Sequence, residues 1–75
     1  MNYSDFIDFI GKDFKFDTIG ITEKTTFSEI NFDELDMIDL VMSVEDNFRV
    51  EVPDEALKNI KTIGDFCDYI NSKYG

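Results

Sequence analysis

Between Asp33 and Phe48 the apolar residues Met37, Leu40, Val41, Val44 and Phe48 recur at steps of three and four, the spacing of one face of an α-helix. Asp33 offers a side-chain acceptor to the first free amides of that helix. Glu34 and Asp36 place negative charge at the positive end of its dipole. The same segment holds six acids and no Lys or Arg. Asp36, Asp39, Ser43 and Asp46 fall opposite the apolar face, so the helix carries an acidic outer stripe with no compensating charge of its own. An amphipathic helix of this length must be covered by other elements, and a chain of 75 residues can supply only a few short ones.

The rest of the chain predicts those elements. Phe6, Ile7, Ile10 and Phe14 recur at helical spacing, which gives a first helix from about Asp5 to Phe14, capped by Ser4 or Asp5. Residues 15 to 32 show no sustained period and read as a long connection pinned by Ile19, Ile21, Phe27, Ile30 and Phe32. A strand through ITEKTTF is disfavoured because no second run of period two exists to pair with it. Pro53 stops the preceding segment, and Asp54 is the expected cap of a short third helix through Glu55, Ala56, Leu57 and Ile60. Thr62 and Asp65 form a capping-box pattern ahead of Ile63, Phe66, Cys67, Ile70 and Tyr74, which predicts a fourth helix ending at Gly75. The expected fold class is therefore all-α: a four-helix bundle with a long loop between helices one and two and a short helix three. Without repeats, low-complexity stretches or linker-like runs, residues 1 to 75 read as a single domain.

Composition removes several functions. Seventeen acids against seven bases give a net charge of -10, which repels nucleic-acid backbones and anionic lipid surfaces, so neither is an expected partner. The self-repulsion also favours a monomer. With no His and one cysteine, the chain offers no zinc cluster, no internal disulfide and no ready general base, so no metal and no enzymatic activity are expected. Cys67 lies on an apolar stripe and reads as a small core residue. The start MNYSDFIDFIG lacks the basic region of a signal peptide, and no apolar run approaches the ~20 residues of a membrane span. The expected location is the cytoplasm.

One stretch carries a resemblance. Residues 33 to 70, DELDMIDLVMSVEDNFRVEVPDEALKNIKTIGDFCDYI, resemble the acyl carrier protein family: its D-S-L-D signature, its second helix, its I-P-D-E turn and its final D-Y-I. The ITEKTTF piece is similar to that family's loop, in which an aliphatic residue, a Thr and a later Phe anchor the long connection. The resemblance implies docking on basic patches of fatty-acid, polyketide or peptide-type biosynthetic enzymes through helix two. Mapped by position, the implied docking residues are Leu35, Asp36, Asp39, Met42, Glu45 and Asp46. The bland reading of the same residues is a solvated helix face.

The departure from the family pattern falls where its chemistry sits. Asp33, Leu35 and Asp36 match D-S-L-D, but the serine that would carry the phosphopantetheine arm is Glu34. A carboxylate attacking the same phosphorus would form a readily hydrolysed mixed anhydride, so the attachment position is expected to be unmodified and the chain to use no cofactor. The glycine that commonly precedes the motif is also missing, with Asn31 and Phe32 in its neighbourhood. Two alternatives stay open: a working acyl or aminoacyl carrier loaded at an unrecognised site, and an independent acidic interaction module.

Overall fold

The computed structural model describes residues 1–74, with side chains through Lys73. Four helices follow in order, α1 (Tyr3–Phe14), α2 (Glu34–Phe48), α3 (Asp54–Leu57) and α4 (Ile63–Tyr74), with the long connection between α1 and α2. Among the described residues the one trace of sheet pairing is an isolated antiparallel bridge between Thr26 and Thr62. The helical reading of the sequence therefore holds. The side chain of Tyr74 and the predicted stop at Gly75 lie outside the described residues.

Local chemistry sets each boundary. α2 begins where expected, because Asp33 and Asp36 cap each other reciprocally: the Asp36 amide donates to Asp33 Oδ1 at 2.9 Å and the Asp33 amide to Asp36 Oδ2 at 3.2 Å. α4 does the same, with the Asp65 amide donating to Thr62 Oγ1 at 3.0 Å and the Thr62 amide to Asp65 Oδ2 at 3.1 Å. α1 starts earlier than Ser4 or Asp5 would place it. Asn2 is the cap, its Oδ1 accepting from the Asp5 amide at 2.8 Å, so both expected caps lie inside the first turn. At α3 the cap position is Pro53, which makes no side-chain cap, and Asp54 is already helical. That helix stops at Leu57 rather than reaching Ile60.

The long connection is fastened to the start of α4 through its backbone. The Phe27 amide donates to the Lys61 carbonyl at 3.1 Å, Ile63 to Thr25 at 2.9 Å and Gly64 to Glu23 at 2.8 Å. Glu29 braces the loop side, accepting from the Thr26 amide at 2.9 Å and its hydroxyl at 3.0 Å. Asp65 braces the helix side, accepting from the amides of Thr62 and Lys61. Phe27 is buried and Ile21, Ile30 and Phe32 are half-buried, as pins should be. Ile19 is not a pin. It is 87% exposed, in a turn where the Ile19 amide donates to the Asp17 carboxylate.

The core comprises Phe6 and Ile10 of α1, Phe27 of the loop, Leu40 and Val44 of α2, Val50, Val52 and Ile60 around α3, and Ile63, Phe66, Cys67 and Ile70 of α4. All eight phenylalanines join one series of ring contacts. It runs from Phe48 to Phe9 (5.1 Å between centroids), Phe6 (6.2 Å), Phe66 (5.6 Å), Phe27 (6.1 Å) and Phe32 (5.8 Å), where Phe14 and Phe16 join at 4.7 and 5.8 Å.

Two outcomes follow from the fastening. A Cβ on Gly64 would lie 2.8 Å from the Glu23 carbonyl oxygen, a backbone atom that cannot swing aside. Gly64→Ala should therefore lose about 1–3 kcal/mol in a denaturant titration, and an unchanged midpoint would refute the close approach. The second outcome concerns acid. Hydrogen bonds from Thr26 hold the Glu29 carboxyl below its ordinary range, and those from the Thr62 and Lys61 amides do the same for Asp65. A carboxyl depressed by folding stabilises the fold above its unfolded pKa, about 4, and loses that contribution as pH falls through the lower folded value. The melting temperature should drop across that acidic window, and less steeply in the Glu29→Gln/Asp65→Asn double variant.

Candidate functional site

The entry to α2 combines a fixed backbone with an exposed charge. The Asp33–Asp36 box uses one carboxylate oxygen of each residue to satisfy amides of the first turn. Glu34, the first helical residue, stands between them with its side chain exposed. Its carboxylate lies at the positive end of the dipole, where negative charge is favoured. As a chemical group it can accept hydrogen bonds or pair with a cation, but it has no hydroxyl to form a phosphate ester.

The outer face of α2 is divided more sharply than the sequence suggests. At 100° per residue, Leu35, Asp39, Met42 and Asp46 fall within about 60° of arc, pointing away from the buried Leu40 and Val44. All four are exposed, Leu35 to 70% and Met42 to 59%. Asp36 and Glu45 lie on the two flanks, are half-buried, and are occupied within the fold. Asp36 belongs to the capping box, and Glu45 Oε2 accepts from the Val52 amide at 3.0 Å, tying α2 to the chain before α3. Of the six residues expected on this face, the structure thus brings four into one row and gives two structural work. Sequence reading missed Ile38, exposed to 46% between Leu35 and Met42. The spacing of three and four through Leu35, Ile38 and Met42 is its signal, masked by the stronger apolar period on the core side.

Beside the loop fastening lies an open groove of about 360 Å³. Phe27, Met37, Leu57 and Ile60 form its apolar walls, with Ser28 and Lys61 at the rim. Phe27 is the one ring of the aromatic series that lines it. Cys67 is fully buried in the core, and burial pushes its thiol up, away from the reactive thiolate. Among the described residues no three metal-ligating side chains cluster, and no helix is long and apolar enough to cross a membrane.

Residues 5–70 match the family model described as the phosphopantetheine attachment site. The chain is 38% identical over 69 residues to an acyl carrier protein of Lactobacillus acidophilus, covering 91% of this chain and 86% of that protein. It is 40% identical over 53 residues to an acyl carrier protein of Thermosynechococcus vestitus (71% and 65% covered) and 39% over 56 residues to one of Phenylobacterium zucineum (73% and 71%). These matches overturn the expectation of no cofactor, because they point to phosphopantetheine as the prosthetic group of this scaffold. That expectation let one side chain speak for the whole chain. The carboxylate of Glu34 does not fit a phosphate ester at residue 34, but it says nothing of the hydroxyls elsewhere.

The division of labour on α2 is measurable through stability. Asp33→Ala removes an N-cap acceptor and should cost about 1 kcal/mol. Asp39→Asn, with no polar partner among the described residues, should change stability by less than about 0.5 kcal/mol in the same chemical melts.

Proposed function

Because the chain belongs to the phosphopantetheine-attachment-site family, that of the acyl carrier proteins, we propose that it serves fatty-acid, polyketide or peptide-type biosynthesis as a carrier-type domain, docking on its enzymes through the outer face of α2. The observation that carries this reading is the row of Leu35, Asp39, Met42 and Asp46 with Ile38 alongside, large apolar side chains left in solvent on an acid-lined helix. Solvation alone accounts for the acids but not for three exposed aliphatic residues in line with them. Basic patches on a partner would be steered by Asp39 and Asp46, and desolvation of Leu35, Ile38 and Met42 would supply the contact. Asp36 and Glu45 contribute to the field of this surface while holding the helix in place. The domain works as a cytoplasmic monomer in this reading and performs no catalysis itself.

Glu34 takes the place of the family's attachment serine in this reading, at the first helical residue and next to the docking row. For an arm carried at another hydroxyl, Ser28, exposed at the rim of the apolar groove, is the first residue to map.

Incubation with coenzyme A and a broad-specificity phosphopantetheinyl transferase, read by intact mass, tests both assignments. Glu34→Ser should gain one phosphopantetheine beyond any that the wild type takes, and peptide mapping locates any wild-type arm. In the Glu34→Ser background, Asp39→Lys/Asp46→Lys should slow loading at least tenfold at low salt, with a smaller effect at high salt. No additional loading of Glu34→Ser would remove residue 34 from the attachment position, and unchanged loading by the charge-reversed protein would remove the docking face.

A further inference from the structure

The acidic row of α2 ends on a cation. Arg49 is the helix C-cap, one turn past Asp46, and its amide donates to the Glu45 carbonyl at 3.0 Å, so its backbone still closes the last turn next to the end of the row. Its backbone is left-handed, with φ 55, a conformation that glycine adopts more readily and that an arginine occupies at a cost. The side chain is exposed, and no carboxylate of the described residues pairs with it. Glu45, one turn back and the obvious candidate, turns its Oε2 to the Val52 amide and makes no ion pair with Arg49. Arg49 also borders a shallow depression with Tyr69 and Lys73, whose ammonium lies 5.4 Å from the Tyr69 ring centroid. The end of an otherwise acidic helix thus carries one arginine, with Lys73 and the carboxylate of Glu51 around the same depression.

A uniformly acidic row would attract a basic patch in either direction along the helix. A sign reversal at one end breaks that ambiguity, because the reversed approach sets Arg49 against the partner's cations. We propose that Arg49 orients the docked partner: the partner presents Lys or Arg against Asp39 and Asp46, apolar side chains against Leu35, Ile38 and Met42, and a carboxylate that pairs with Arg49. This rests on the docking reading above and adds an acidic element to a partner surface otherwise specified as basic. A cation at a helix C-terminus also favours the helix by itself, so stability and binding have to be measured separately.

Binding of the wild-type chain to an immobilised broad-specificity phosphopantetheinyl transferase decides the matter. Arg49→Glu moves the net charge of -10 two units further negative, so attraction to a purely basic patch would tighten binding. The orienting pair predicts the opposite, at least fivefold weaker binding, with Arg49→Gly weakened to a lesser degree. Arg49→Gly places the residue suited to a left-handed cap at that position, and its thermal melt, run beside the binding assay, separates a lost contact from a lost fold. Tighter or unchanged binding by Arg49→Glu, alongside weakened binding by Asp39→Asn/Asp46→Asn, would overturn the orienting role and leave the docking face standing. Absence of wild-type binding, or indifference to Asp39→Asn/Asp46→Asn, would overturn the docking face and the orienting role with it.

Discussion

The ring of Phe66 touches Phe6 on one side and Phe27 on the other, and through those two contacts α4 is joined both to α1 and to the long loop. From Phe6 the series continues through Phe9 to Phe48 at the end of α2, and from Phe27 through Phe32 to Phe14 at the end of α1 and Phe16 just beyond it. Every major segment therefore contributes a ring to one connected set. In a domain this small, aliphatic side chains alone bury little area, and aromatic rings supply more per residue. The loop can be long because Phe27 makes it part of the core, and the backbone bonds to residues 61 to 64 then fix its register.

Acidic residues do two kinds of work around that core. Asp33, Asp36, Glu29, Asp65 and Glu45 each accept backbone amides at a helix start, a turn or a crossing between segments. They are anchored by donors that solvent would otherwise have to satisfy. Asp39 and Asp46 face water on the outer row of α2. The hydrogen-bonded carboxylates keep their charge and so add to the field of the molecule, but their positions are fixed by the fold, whereas Asp39 and Asp46 are free to move toward a partner.

The fold was legible in the sequence wherever the cause was local. The Asp33–Asp36 and Thr62–Asp65 boxes lie three residues apart in the chain and could be read directly, and the apolar periods of α1, α2 and α4 identified the buried faces. The misses have distant or competing causes. Asn2 outcompetes Ser4 and Asp5 as a cap because it alone stands outside the first turn, and Ile19 is spent in a turn although its type suggests burial. At the candidate site, Leu35, Asp39, Met42 and Asp46 are implied only by position in the family resemblance, and the helix sets those four side by side on the outer face of α2. The engagement of Glu45 depends on how the chain returns at Val52, which no local pattern encodes. The expectation of no cofactor fails for a different reason: it rests on the one side chain of Glu34, whereas the family match runs along residues 5–70.

The groove beside the loop has one wall of unequal strength. Phe27 belongs to the aromatic series, and Met37 rides on the fifteen-residue α2, whereas Leu57 ends the four-residue α3 and Ile60 lies in the turn beyond it. α3 has no side-chain cap and no buried residue of its own. Stability varies along a fold with how much each segment buries, so of the groove's walls Leu57 is the one carried by the least buried element, while Ile60 beside it is anchored in the core. A change in the seat of Leu57 would therefore reshape the groove without touching any of the ring contacts that define the fold.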